Sequence, residues 1–405
     1  MKILMLVPFL PNTSMSGGQT RWYNLIKYMS KDHEITLFSL IKDEKEREFI
    51  PELEKYCKKV RVFTRPKSPW TIRNLFLTAF SLYPLLVIRN YSSKEKAAIK
   101  EELERERYDL IHAEAFYVMP HIPKTRVPSI LVEQTIEYMV YKHYVDTKVP
   151  FFLKPIFYID ILKLRFWELY FWKKTNQLVA VSDPDKEFMQ KLIPHISVDV
   201  IPNGVDSSFY AAKNVKRKEP QRVMYGVTNY EWLQNREAVE VLINDVWPKI
   251  RAKYDNAKLW IVGRLIPEKI VELSKTNNDI EITESIPDAR DAYLSASVMV
   301  TPIRGSGGTR LKVLEAMAAG LPVVSTSLGV AGLHLKDGKE ALISDNPEGL
   351  ARGTVKLLKD KKLRDKIGKE GQKFVKENFD WKAIVKLHDP IYAKVTGQNQ
   401  YKQSL

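Results

Sequence analysis

The sequence predicts an α/β protein built from two doubly wound parallel-sheet domains that face each other across a cleft. Short β-rich apolar runs alternate with helix-length segments along the whole chain, the pattern of parallel strands joined by crossover helices. At 405 residues, 44% of them hydrophobic, the chain exceeds what one core holds, since single cores stop growing at about 250 to 300 residues. The alternation also occurs twice, interrupted by the charged, loop-like stretch SSFYAAKNVKRKEPQ at 207–221.

The first series of strands is ILMLV (3–7), EITLFSL (34–40), VRVFT (60–64), LIHAE (110–114), SILVEQ (129–134), LVAVS (178–182) and VDVIPN (198–203). The second comprises RVMYGV from 222, KLWIVG from 258, IEIT from 280, VMVTP from 298, PVVST from 322 and ALIS from 341. The expected domains are therefore 1–206 and 222–380, with 207–221 as linker.

Open α/β sheets bind ligands beyond the carboxyl ends of their strands, and two glycine-rich helix entrances fall at such ends. In the first domain the opening strand leads through NTSMSGGQTR into a helix with Trp22, Leu25, Ile26 and Met29 on its apolar side, so Gly17 and Gly18 stand at the entrance. The G-x-G-x-x-G spacing is absent. The acidic residue expected about 20 positions on would be Glu34, which already begins a strand, so a single nucleotide shared between domains fits better than a dinucleotide.

In the second domain VMVTP runs into RGSGGTRLKVLEAMAAGLPVVST at 304–326. Gly307 and Gly308 form the turn, Thr309 is the expected N-cap, Gly320 the stop, and Pro322 opens a buried strand. On a helical wheel Leu311, Val313, Leu314, Met317 and Ala318 share one side, while Lys312, Glu315, Ala316 and Ala319 share a polar side expected to look outward. Glycines let backbone approach a ligand, and the unpaired N–H groups of a first helical turn favour an anion such as phosphate. Glu315 instead suits hydroxyls, as an acid does on ribose in dinucleotide sites. The competing reading is a surface loop followed by a solvated Lys312–Glu315 pair.

A single cysteine, Cys57, excludes an internal disulfide framework and a cysteine-rich zinc site and fits a reducing, cytoplasmic setting. Pro8 and Pro11 break the apolar N-terminus, which reads as a first strand and not as a signal peptide. The net charge of +15 permits attraction to nucleic acid, anionic lipid or phosphorylated small molecules, but no zinc-finger spacing or aromatic RNA-binding strand motif is present, so nucleic acid is not an expected partner. NLFLTAFSLYPLLVI (74–88), flanked by Arg73 and Arg89, is too short to span a bilayer and is read as a candidate contact with an anionic membrane surface. The aromatic run at 151–174 is read as an interior helix, with contact to a bilayer surface as the alternative. His112 and His121 are read as structural, for want of a carboxylate or second histidine at useful spacing.

With SMSGGQTR, IPNGVD (201–206) and LEAMAAGLPVVST (314–326) in place, nearly the whole chain resembles the GT-B fold glycosyltransferases, and within them the retaining family four. WLQNREAVEVL (232–242) and GGTRLKVLEAMA resemble a subgroup of bacterial polysaccharide and envelope glycosyltransferases. The resemblance implies a nucleotide-diphosphate sugar as donor, with its diphosphate at the glycine loop and helix N-terminus and its ribose on Glu315. The acceptor would be a glycan or a lipid-linked saccharide. It also implies a metal-independent transfer, with no cofactor and no protein nucleophile, and a C-terminal helix (381–395) that returns to the first domain.

Two features depart from the family pattern. An acid eight positions before Glu315 would occupy Gly307, and the usual Arg and Lys after the second domain's first strand are absent from GVTNYEWLQN. Arg264, Arg304, Arg310 and Lys312 supply nearby positive charge, with Arg264 the first choice for the diphosphate. QTIE at 134–137 stands where relatives read HNxE, so Gln134 takes the place of a histidine that contacts the donor sugar, with Glu137 beside it. TESIPDARDAY (283–293) is expected to border the base. The alternatives are a nucleotide-sugar epimerase of the same fold and a catalytically silent nucleotide-sugar binder.

Overall fold

Two all-parallel sheets form, one in each half of the chain, in a computed structural model that describes residues 1–13, 16–213, 215, 217, 219–304 and 311–397. The first unit comprises residues 1–202 together with the chain from Val385 onward, and the second comprises Asn203–Ile384.

In the first unit the strands are β1 Lys2–Val7, β2 Glu34–Ile41, β3 Lys59–Thr64, β4 Leu110–Glu114, β5 Ser129–Glu133, β6 Gln177–Ala180 and β7 Val198–Val200. They lie in the order β3-β2-β1-β4-β5-β6-β7. The second unit holds β8 Gln221–Asn229, β9 Ala257–Arg264, β10 Ile280–Thr283, β11 Val298–Thr301, β12 Val323–Ser325 and β13 Leu342–Ile343, in the order β10-β9-β8-β11-β12-β13. Every strand expected from the apolar runs is present. In each sheet the order reverses beside the first strand, between β1 and β4 and between β8 and β11, which opens a crevice at the carboxyl ends.

Strand β1 shows why the runs are continuous and not alternating: Ile3 to Val7 are all buried, because helices cover both faces of a parallel sheet. At the carboxyl ends of β8 and β9 the two backbones approach so closely that only glycine fits. A Cβ on Gly226 (φ +147°) would lie 2.2 Å from the Val262 carbonyl oxygen, and one on Gly263 (φ +150°) 2.0 Å from that of Thr228.

Three expectations are corrected. Residues 207–211, read as part of a loop-like linker, form a helix, because Asp206 caps it by accepting from the Phe209 N–H at 2.9 Å. The side of the helix Leu311–Ala318 expected to look outward is largely covered: Lys312 and Ala316 are buried, and Glu315 and Ala319 are only partly exposed. Small residues there admit the helix Lys361–Asn378, whose Gly368 would place a Cβ 2.3 Å from the Gly320 carbonyl and whose Gln372 donates to the Ala318 carbonyl at 2.8 Å. The helix Lys154–Lys174, expected in the interior, buries only Ile161, Leu164, Glu168 and Trp172. Its apolar and charged residues are spread around the helix, so periodicity could not say which stripe packs.

Candidate active site

The helix Leu311–Ala318 follows β11 at the second unit's switch point and ends as the sequence requires, with Gly320 at φ +71° and the Leu321 N–H bonded to the Ala316 carbonyl at 2.9 Å. Glu315 is partly exposed and accepts a hydrogen bond from the Tyr293 hydroxyl at 2.8 Å, with Tyr210 a second donor. Burial beside this carboxylate raises both tyrosines well above their ordinary range, so both stay protonated and donate. Burial also raises Glu315, against the lowering pull of the two hydroxyls and of Lys312. A carboxylate offers about four lone-pair directions, so acceptor capacity remains for a diol.

One turn earlier, Lys312 donates to Asn235 Oδ1 at 2.5 Å and to the Tyr225 hydroxyl at 3.2 Å, with its Nζ 4.8 Å from the centre of the Tyr225 ring. Asn235 is fixed in turn by donating to Thr228 Oγ1 at 2.8 Å and to the Asn229 carbonyl at 2.7 Å, both at the end of β8. Both of the Lys312 partners are neutral. Lys312 is buried, so it is not the solvated partner that the competing reading requires.

The other expected donor-site cations lie farther out. Arg264 is exposed at the end of β9, its carbonyl accepting from the Tyr230 N–H. Arg304, also exposed, approaches Asp245 to 3.7 Å, and a concave surface there is lined by Glu237 and Glu240 as well. Gly307, Gly308, Thr309 and Arg310 lie outside the described residues. Leu311 is the first residue of the helix.

In the first unit the helix Gly17–Met29 starts at the end of β1, with Ser16 as N-cap. A Cβ on Gly18 would stand 3.1 Å from Gln134 Oε1, so glycine leaves room for that amide. Gln134 Nε2 donates to Glu114 Oε2 at 3.1 Å. Glu114, wholly buried, also accepts from Trp22 Nε1 at 2.8 Å and meets His112 Nε2 at 3.0 Å, with Arg21 Nε 4.0 Å away. Burial would raise this carboxyl, but His112, Arg21 and Trp22 together hold it below the usual range. The expectation that His112 lacks a carboxylate is thus wrong, since alternation along β4 puts residues two apart on one side. The same premise fails for His121, whose Nε2 lies 3.4 Å from the buried Glu95 Oε2 and accepts from the Ser92 N–H at 2.9 Å.

Glu137 opens the helix Glu137–Lys148 and accepts from Thr135 Oγ1 at 3.0 Å, while Glu168 caps the same helix by accepting from the N–H groups of Glu137 and Tyr138. Burial pushes Glu137 up from 4.5 to about 7. A raised acid favours the folded state while protonated, so its contribution is complete below about 4.5 and is lost as pH rises through about 7. Urea unfolding of wild type and Glu137→Gln across that range should show wild type losing stability relative to the variant. A constant difference would contradict this.

Sequence reasoning missed Tyr210, Asn235, Tyr293 and Glu114. Tyr293 falls inside the stretch expected to border the base, and Glu114 was signalled by the His112-Ala-Glu114 spacing.

Residues 15–209 match the family described as Glycosyltransferase Family 4, and residues 221–360 match Glycosyl transferases group 1. A 44.6 kDa protein of the cps region of Klebsiella pneumoniae is 23% identical over 397 residues, covering 95% of this chain and 97% of the relative. A phosphatidyl-myo-inositol mannosyltransferase of Mycolicibacterium smegmatis is 26% identical over 226 residues, 54% of this chain and 57% of its own length. A Methanocaldococcus jannaschii relative is likewise spanned over only 60% of its length. Among solved structures, Anabaena HepE in complex with UDP-glucose superposes with a TM-score of 0.64 at 16% identity, covering 97% of this chain and 100% of that one.

Proposed function

The chain belongs to the family-four glycosyltransferases of GT-B fold, and from that premise we propose that it moves a sugar from a nucleotide-diphosphate sugar to a glycan or lipid-linked acceptor, retaining the anomeric configuration. The observation that carries this reading is Glu315 at the β8/β11 crevice. Two protonated tyrosines orient it, and its remaining acceptor capacity suits the two hydroxyls of a ribose.

As the sugar leaves, it turns cationic and charge grows on the diphosphate, so the site must meet that charge with fixed positive groups. Lys312 supplies one inside the crevice, held in place by Asn235. Arg264 is proposed as a second, reaching in from the neighbouring strand end, and Gly17 and Gly18 are proposed to let backbone come close to a ligand. Gln134, oriented by Glu114, presents its amide for the sugar hydroxyls. Arg304 is the weakest of the proposed contacts, because Asp245 already offsets its charge.

The relatives support the substrate classes: HepE forms a complex with UDP-glucose, the mycobacterial relative is a phosphatidyl-myo-inositol mannosyltransferase, and the Klebsiella protein lies in a cps region. Envelope polysaccharide synthesis at the cytoplasmic face of the membrane is the setting these suggest. Metal independence is part of the proposal. Saturating chelator should leave transfer intact, with the product's anomeric configuration, read by NMR, matching the donor's. Activity lost on chelation and restored by magnesium or manganese, or an inverted product, would overturn that part.

A further inference from the structure

We infer that the first unit docks on an anionic lipid bilayer through a platform made by the helices Ile72–Phe80 and Lys154–Lys174. The platform is one surface. Lys163 Nζ donates to the carbonyls of Thr78 and Ser81 at 2.6 and 2.7 Å, Trp167 Nε1 donates to the Leu82 carbonyl at 2.9 Å, and Tyr83 stacks on Trp167 with ring centres 4.4 Å apart. Outward from this seam the side chains are large and apolar: Ile72 is 88% exposed, Phe80 78%, Leu82 79%, Phe151 83%, Ile156 67% and Phe166 61%. Scattered exposed apolar residues are ordinary, but a contiguous field of this kind marks a contact surface.

Charge identifies the occupant. Between residues 66–89 and 147–174 the only acids are Asp160 and Glu168, and both are engaged inward: Asp160 accepts from the Leu85 N–H at 3.0 Å and Glu168 caps the helix at Glu137. The exposed charges of these segments include Arg73, Lys148, Arg165, Lys173 and Lys174, all positive. Asp146, on the adjacent helix, is paired with Lys142 at 2.6 Å. A second copy would bring two positive rims together at a cost, whereas an anionic headgroup layer attracts the rim while the aromatic and aliphatic side chains enter the acyl boundary. No described helix is long and apolar enough to cross a membrane, so the contact lies on the surface.

This inference stands apart from the proposed transfer, because vesicles free of saccharide test it alone. Flotation with phosphatidylcholine vesicles, with and without phosphatidylglycerol, is expected to show binding that rises with the anionic lipid and falls with salt. The double variants Ile72→Ser/Phe80→Ser and Phe151→Ser/Phe152→Ser, whose melting temperatures should match wild type, are expected to weaken binding about tenfold or more. Arg73→Gln/Lys173→Gln should reduce the salt dependence. Absence of binding to anionic vesicles, or binding unchanged in both apolar variants, overturns the inference. A dimer in sedimentation velocity that the same variants abolish, without vesicle binding, would assign the face to a second copy and overturn it as well.

Discussion

Glu315→Ala is expected to weaken binding of the matching nucleoside diphosphate about 10- to 100-fold, the loss of charged hydrogen bonds to two ribose hydroxyls. The same substitution removes the acceptor of Tyr293 and Tyr210, so a stability loss of about 1 to 3 kcal/mol accompanies it. Tyr293→Phe separates the two effects, since it removes one supporting hydroxyl and leaves the carboxylate in place: stability should fall while affinity changes little. Calorimetric titration well below every melting temperature reads the affinities. An unchanged dissociation constant for Glu315→Ala would remove the carboxylate from the donor site.

Glu114→Ala is expected to cost about 3 to 5 kcal/mol in urea unfolding, because it leaves Arg21 as a buried charge without its carboxylate and strips the partners of Trp22 and His112. Burial lowers Arg21 from its usual pKa, and Glu114 is the first group that opposes this. Glu114→Gln keeps the volume but turns one of the two accepting oxygens into a donor and removes the charge near Arg21, so its stability should fall between wild type and Glu114→Ala. Transfer by Glu114→Gln should drop through misplacement of Gln134, and Gln134→Ala should reproduce that drop without the stability loss. Near-wild-type stability in Glu114→Ala would mean the ion pair contributes nothing net.

The strands were legible because each buried parallel strand is a local apolar run, and Glu315 was legible because loop, helix and strand lie in one stretch of 23 residues, 304–326. What surrounds Glu315 was not. Tyr293 lies 22 positions away and Asn235 lies 77 from Lys312, so no local pattern joins them before the sheet does. The outward polar side of that helix was misjudged for a related reason: another helix, distant in sequence, packs on its C-terminal end, with Gly368 against the Gly320 carbonyl and Gly371 against Met317. Glu114 was legible in principle. Its partner His112 stands two residues earlier on a strand, so period two puts both on one face, where they meet at 3.0 Å.

The central claim is that this chain transfers a sugar from a nucleotide donor to a separate acceptor. Incubation with a panel of radiolabelled nucleotide sugars, with and without membrane lipid extract, tests it most directly. The account predicts nucleoside diphosphate release and labelled, lipid-extractable product from one donor, only when extract is present. Epimerised donor without any acceptor, or tight donor binding with neither release nor product, would contradict it.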